Sequence, residues 1–369
     1  MENKTHFDTV GSYLRPEELK KARADFESGA IGAEEFAETK RRLIKSLVEK
    51  QKAAGLHYIT DGEFNRKYWH LDFFWGFEGI GHVKDGGGVQ FAGEVADLES
   101  TFLTGKLGAK VHPFVEDFRF LKGLESGGVE AKQTVPAPAQ LFQQLNVPAN
   151  YESTRRIYPD GEELIADIVK AYRNVIRQFY DAGCRTLQFD DCTWGALVGD
   201  AAKQRYQSLG LDLEEVKESL LKVNNLALEG KPEDMKINTH ICRGNYHSTY
   251  FTSGPYDSVS RHVFARENVN ALYLEYDDER SGGFAPLADV SADKEVVLGL
   301  ITTKKPELED ADKVIGRIRE AEKYVPLERL SISPQCGFAS CEIGNRLSEK
   351  EQWEKIALVK KIAEAVWGS

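Results

Sequence analysis

The chain has 369 residues, 41% of them hydrophobic and 29% charged, with a formal net charge of −11; that balance excludes intrinsic disorder and fibrous repeats, and without a basic run it argues against a nucleic-acid surface or a membrane-surface helix. No segment approaches the roughly 18 apolar residues of a membrane span, and residues 1–8 lack the apolar core of a signal peptide, so a cytoplasmic location and small-molecule partners are expected. Five cysteines at an odd, scattered spacing (184, 192, 242, 336, 341) suggest thiols or metal ligands rather than a disulfide framework.

In chain order, residues 5–14 are expected to form a short strand that breaks at Gly11-Ser12. Two acidic, Ala-rich helices follow at about 17–28 and 33–54, the second ended by Gly55. Residues 57–63 make a second strand that ends in carboxylates. Between 67 and 128 the periodicity blurs: aromatics crowd at 68–77, and glycines at 86–88 and 127–128 punctuate possible hairpins. Such a long irregular stretch in a compact domain is expected to be an insertion, either lying over a barrel mouth or forming an added subdomain or oligomer contact. Regular alternation returns with a strand and turn at 131–138, a helix at 161–182 and a strand at 184–191. A helix at 212–228 leads to a strand at 236–242, a helix near 257–267 to one at 271–276, and a seventh strand spans 296–301. A helix at 308–324, an eighth strand at 330–335 and a closing helix at 349–367 complete the chain. Eight strands alternating with helices predict an α/β fold, a single (β/α)8 TIM barrel over residues 1–369, with the 67–128 insertion after the second strand.

Polar residues cluster at the C-terminal ends of these strands, which form the active-site face of such barrels: Ser12, Glu63, Asp190, His240, Cys242, Glu275 and Cys336. His240 and Cys242 lie two apart in an extended run and so point to one side. With Glu275 and Cys336 at other strand ends they make a donor set that zinc accepts, drawn from distant segments as in a reactive site rather than a structural clip. Cys184 and Cys341 are assigned structural roles. Cys192 is set aside as a ligand because its strand already spends Asp190 at the mouth. Glu63 and Asp190 suit the ammonium of an amino-acid substrate, with salt bridges to Arg66 or Arg185 as the plainer alternative. Gly11 and Ser12 could offer donors to a carboxylate. Zinc held by two thiolates and a carboxylate is a poor activator of water, yet it can hold an incoming thiol as thiolate below the free value of about 8.5, so alkyl transfer to sulfur is favoured over hydrolysis.

The segments Val10-Gly11-Ser12, Asp61-Gly62-Glu63-Phe64, Leu187-Gln188-Phe189-Asp190, Thr239-His240-Ile241-Cys242, Leu274-Glu275 and Ser333-Pro334-Gln335-Cys336-Gly337 resemble, in order and over nearly the whole chain, the catalytic C-terminal barrel of cobalamin-independent methionine synthase, and more closely its short stand-alone members. The resemblance implies zinc on His240, Cys242, Glu275 and Cys336, homocysteine held by Ser12, Glu63 and Asp190, and methyl transfer to its sulfur to give methionine. Three departures stand out. The chain has no room for the second, N-terminal barrel of the full-length enzymes. Residues 138–144 offer no tryptophan where the family places one against its folate. No histidine follows strand seven, although expelling an amine such as tetrahydrofolate needs a proton. The methyl donor is therefore left open between 5-methyltetrahydrofolate and a corrinoid or sulfonium methyl group, with an epoxide opened by another thiol as a further electrophile and a non-catalytic zinc-binding barrel as the non-enzymatic alternative.

Overall fold

The computed structural model describes residues 5–84, 88–108 and 110–368. The predicted start of the chain at residues 1–4 and the turn glycines at 86–87 lie outside them. Its strands in chain order are β1 (Tyr58–Ile59), β2 (Glu78–Val83), β3 (Gly88–Phe91), β4 (Glu94–Asp97), β5 (Ser100–Gly108), β6 (Glu130–Pro136), β7 (Thr186–Asp190), β8 (Lys236–Ile241), β9 (Ala271–Glu275), β10 (Glu295–Ile301) and β11 (Leu330–Pro334). Seven of them form one parallel, curled sheet in the order β1-β6-β7-β8-β9-β10-β11. From β7 to β11 nearly every residue is buried, as expected for parallel strands covered on both faces.

The predicted first strand is not a continuous one. Residues 6–13 reach both edges of the sheet through isolated parallel bridges, Phe7 with Ile332 and Ser12 with Gly62, backed by Asp8 N–H to the Ile332 carbonyl at 3.1 Å and Tyr13 N–H to that of Gly62 at 3.2 Å. Inside the curl, Asp8 Oδ2 accepts from Lys132 Nζ and from the Tyr273 hydroxyl, both at 2.6 Å. Those partners sit on β6 and β9, which are not neighbours in the sheet, so one carboxylate ties the N-terminal segment across its concave side.

The helices follow the hydrophobic spacing. In Gly161–Asp181, Leu164, Ile168, Tyr172 and Val175 repeat at helical intervals toward the core, and Asp160 caps the N-terminus by accepting from the Glu162 N–H at 2.9 Å. The closing helix Glu349–Trp367 begins with a reciprocal Ser348–Glu351 capping box and stops at Gly368, in the left-handed conformation. Four helices outside the 67–128 stretch are not among those expected: Cys192–Gly195 and Gly199–Ser208 after β7, and, after β6, Pro138–Asn146 and Pro148–Ile157, which each start on a proline, a residue that suits a first helical position as well as the turn expected there. The helix expected at 308–324 is shorter, Ala311–Ala321, and that near 257–267 is a 3-10 turn followed by Ser260–Arg266. Among the described residues no helix is long and apolar enough to cross a membrane.

The 67–128 stretch holds a short helix (Leu71–Phe74), the antiparallel pairs β2–β5 and β3–β4, and the helix Phe114–Lys122. Its anchor is His112, whose Nε2 bonds the Phe73 carbonyl at 2.9 Å while Nδ1 accepts the Phe114 N–H at 3.3 Å. That pattern fits a neutral ring, and burial pushes its pKa down to about 4, as it pushes that of His70 down to about 3. In the unfolded chain both titrate near ~6.5. Between the two values the unfolded state binds more protons, so stability is fully present above ~6.5 and is lost as pH falls toward 4, by up to about 1.4 kcal/mol per pH unit for each histidine. Urea unfolding over this range should show that slope, and His112→Gln should reduce it by about one proton; an unchanged slope would mean that the ring is not the group taking up the proton.

Candidate functional site

The C-terminal ends of β8 and β11 bring together three of the expected ligands. The donor atoms of His240, Cys242 and Cys336 all lie within 4.8 Å of one another, and all three residues are buried. Strand alternation aims His240 and Cys242 to one side, and Cys336 follows β11 by two residues. Gly337, next to it, lies so close to Ser12 that a Cβ would come within 1.8 Å of the Ser12 Oγ, so only glycine lets the Cys336 loop settle against the N-terminal segment. Both ring nitrogens of His240 are buried without a hydrogen-bond partner, a state that costs about 1–3 kcal/mol per group unless a ligand relieves it. One imidazole and two thiols with that unmet capacity fit a zinc ion.

Glu275 is not part of the 4.8 Å group. Its Oε2 accepts the Arg243 N–H at 2.8 Å, while its fully buried Oε1 has no hydrogen-bond partner and faces Arg280 at 3.4 Å and Lys304 at 3.7 Å. Burial raises its pKa, and Lys304 opposes that rise.

The trio opens on a cavity of about 610 Å³ that Ser12, Glu63 and Asp190 also line. Asp190 pairs in register with His240 across β7 and β8 and accepts from Gln188 Nε2 at 2.9 Å. Burial pushes its carboxyl up to about 7, Glu63 adding to the rise and His240 opposing it. Arg185 is not its counter-ion: that side chain pairs with Asp234 at 3.0 Å. Glu63 does take the salt bridge that the sequence offered as the plainer alternative, with Arg66 at 3.2 Å, and Arg15 stands 3.7 Å from its other oxygen. That second oxygen, Oε2, has no hydrogen-bond partner. Gly11 has φ +127°, and a Cβ there would meet Thr134 at 2.9 Å, so the chain passes too close to β6 for a side chain.

The insertion supplies part of the cavity wall through Trp69, His70, Val89 and Phe91. Trp69 stacks on His70 with ring centroids 4.4 Å apart. The pair β3–β4 is fastened to the loop after β8 by Ala92 N–H to the Tyr250 carbonyl at 2.8 Å and by Glu94 with His247 at 2.8 Å.

Cys192, set aside from the sequence, is at the site: its Sγ lies 3.1 Å from that of Cys242, and it lines the cavity. Cys192 lies two residues beyond the Asp190–His240 pair, where the chain has left β7 for the turn Cys192–Gly195, so it is the packing of that turn on the end of β8 and not strand alternation that brings the two sulfurs together. Cys242 is held well below the ordinary thiol range, first by Cys192 and then by Cys336 and His240, while Cys192 and Cys336 are pushed up by the same contacts with Cys242. Cys184 is buried elsewhere, its thiol donating to the Thr186 carbonyl at 3.3 Å. Cys341 bridges to Tyr68 and borders the cavity.

The description of the cobalamin-independent synthase catalytic domain matches residues 6–87 and 151–359. The uncharacterized protein YxjH of Bacillus subtilis is 42% identical over 361 residues, 98% of this chain and 94% of its own. Methionine synthase of Saccharolobus solfataricus is 25% identical over 349 residues, 94% of this chain and 90% of its own. A crystal structure from Listeria monocytogenes, provisionally assigned as a vitamin-B12 independent methionine synthase, superposes with a TM-score of 0.78 at 38% identity, covering 99% of this chain and 98% of that one. A B12-independent methionine synthase from Shewanella sp. W3-18-1, solved with selenomethionine, shares the fold at a TM-score of 0.71 and 19% identity, over 98% and 97% of the two chains.

Proposed function

The chain belongs to the family of cobalamin-independent synthase catalytic domains, and from that membership we propose that it is a zinc-dependent S-methyltransferase that passes a methyl group to the thiol of homocysteine to give methionine. The observation that supports this most directly is the His240, Cys242 and Cys336 trio on a cavity that also exposes two buried carboxylates. These three side chains would hold the metal, with Glu275 as the carboxylate donor through Oε1, which has no hydrogen-bond partner though Arg280 and Lys304 face it. Zinc bound there would keep a small thiol deprotonated near neutral pH. The protein's own groups then orient the amino acid: the Glu63 and Asp190 carboxylates receive its ammonium, and the Ser12 hydroxyl and nearby backbone N–H groups its carboxylate. Such fixing of the reacting sulfur turns a bimolecular encounter into a positioned one. In this reading the bridges of Phe7 and Ser12 to the two sheet edges close a (β/α)8 barrel, and residues 67–128 cover its mouth.

The test is to give the zinc-loaded protein homocysteine with 5-methyltetrahydrofolate, methylcobalamin or S-methylmethionine in separate reactions and to measure methionine. Methionine is expected from one of the three, and only while the metal is retained. Zinc binding without methionine from any donor, and without faster alkylation of added homocysteine by a simple methylating reagent, would sink the proposal.

A further inference from the structure

Three of the five cysteines, Cys192, Cys242 and Cys336, line the cavity, and the assignment above uses two; Cys192 is outside the 4.8 Å group and reaches it through Cys242. Cys192 begins the single-turn helix Cys192–Gly195, which Asp191 caps by accepting from the Thr193 N–H at 3.0 Å. This turn is pressed onto the end of β8: a Cβ on Gly195 would fall 1.8 Å from the Cys242 carbonyl oxygen, and Thr252 Oγ1 holds the Gly195 carbonyl at 2.7 Å. The close packing sets the Cys192 Sγ 3.1 Å from that of Cys242. The separation is well beyond the ~2.05 Å of a disulfide and nearer the ~3.8 Å that two ~2.3 Å sulfur bonds to one tetrahedral ion imply. Cys192 is also the half-exposed one of the three, whereas Cys242 and Cys336 are buried. The unpartnered His240 nitrogens show independently that this corner is built to receive a ligand.

The geometry points to Cys192 as a third sulfur ligand of the metal, which in the empty cavity takes the fourth position beside His240, Cys242 and Cys336 in place of the Glu275 carboxylate, left facing Arg280 and Lys304, until the substrate thiol takes that position. This inference rests on the zinc reading above. In the exchange the bond from the metal to the Cys192 sulfur breaks, a bond to the substrate sulfur forms, and the substrate's thiol proton passes to Cys192. Cys192 thereby keeps the open position from water and other ligands while the cavity is empty.

X-ray absorption at the zinc edge reads the sulfur neighbours directly. In the zinc-loaded full chain three sulfurs are expected before homocysteine and three after it; in Cys192→Ser, two before and three after. Two sulfurs in the wild-type protein before substrate would overturn the inference, and a rise to four after substrate would overturn the exchange. Absence of bound zinc from the wild-type protein would instead sink the zinc reading and this inference with it. If the variant does not fold, iodoacetamide labelling of wild type serves: Cys192 should label at least tenfold more slowly with zinc than without, and homocysteine should restore labelling. Equal labelling in all three states would overturn the proposal.

Discussion

Cys336→Ser is expected to abolish stoichiometric zinc and to lower methylation of homocysteine by three orders of magnitude or more, with the fold retained. The donor set is assembled from two strand ends that are far apart in sequence, and losing Cys336 removes the whole contribution of one of them, leaving of the trio only the pair His240 and Cys242. A serine hydroxyl does not supply a thiolate near neutral pH, and the affinity of zinc for sites of this kind rests on deprotonated sulfur. Changes to groups that only orient a ligand typically cost 10–100-fold in metal affinity, so loss of a ligand should cost more. Cys184→Ser is the control, because that thiol is buried against the Thr186 carbonyl and outside the trio. Metal analysis after dialysis, together with circular dichroism, separates the two variants. Retention of one zinc and of thiol methylation by Cys336→Ser would show that the trio is not the metal centre.

Much of this site could be read before any coordinates, and the reason is periodicity. A parallel strand buried on both faces appears as a short apolar run, and the polar residue that ends the run points into the mouth. His240, Cys242, Asp190 and Cys336 obey that rule and line one cavity. The rule fails where placement depends on contacts between segments. Residues 6–13 act as a strand only through single bridges to two neighbours, which no local pattern encodes. The carboxylate of Glu275 is drawn to the Arg243 N–H, and Arg280 and Lys304, which face its other oxygen, come from later turns. Cys192 escapes the rule for a different reason: the chain turns into the short helix Cys192–Gly195 directly after β7, and only the packing of that turn on the end of β8 places its sulfur beside Cys242. The insertion was legible as an insertion, but its two antiparallel pairs and its contribution to the cavity wall come from pairing and docking that aromatic content does not specify.

Glu63→Gln should raise the KM for homocysteine at least 100-fold while changing kcat less, and should also destabilise the protein by about 3–5 kcal/mol, the usual cost of leaving a buried charge without its partner. The side chain enters the cavity because two successive residues adopt left-handed backbone, Gly62 at φ +69° and Glu63 at φ +61°, the second a conformation that costs a non-glycine residue about 1–3 kcal/mol. The Asp61 carboxylate offsets part of that cost by accepting the Glu63 N–H at 2.8 Å. Thr134 donates to Oε1 at 3.1 Å, and Arg66 and Arg15 flank the carboxylate, so a neutral amide would leave two buried guanidiniums short of a negative partner. An ammonium held equally in ground and transition states is a KM interaction, which is why kcat should move less. Asp190→Asn provides the contrast. Burial raises the pKa of that carboxyl, so its charged form is less favoured there than in water, and asparagine keeps an acceptor for Gln188 Nε2, so stability should change little and KM should rise about tenfold, as expected for one lost charged hydrogen bond. The pair of variants separates the two duties of Glu63. If Glu63→Gln unfolds more easily yet binds homocysteine as tightly as wild type, the carboxylate serves only as the counter-ion of Arg15 and Arg66, and the substrate's ammonium must be held by Asp190 alone.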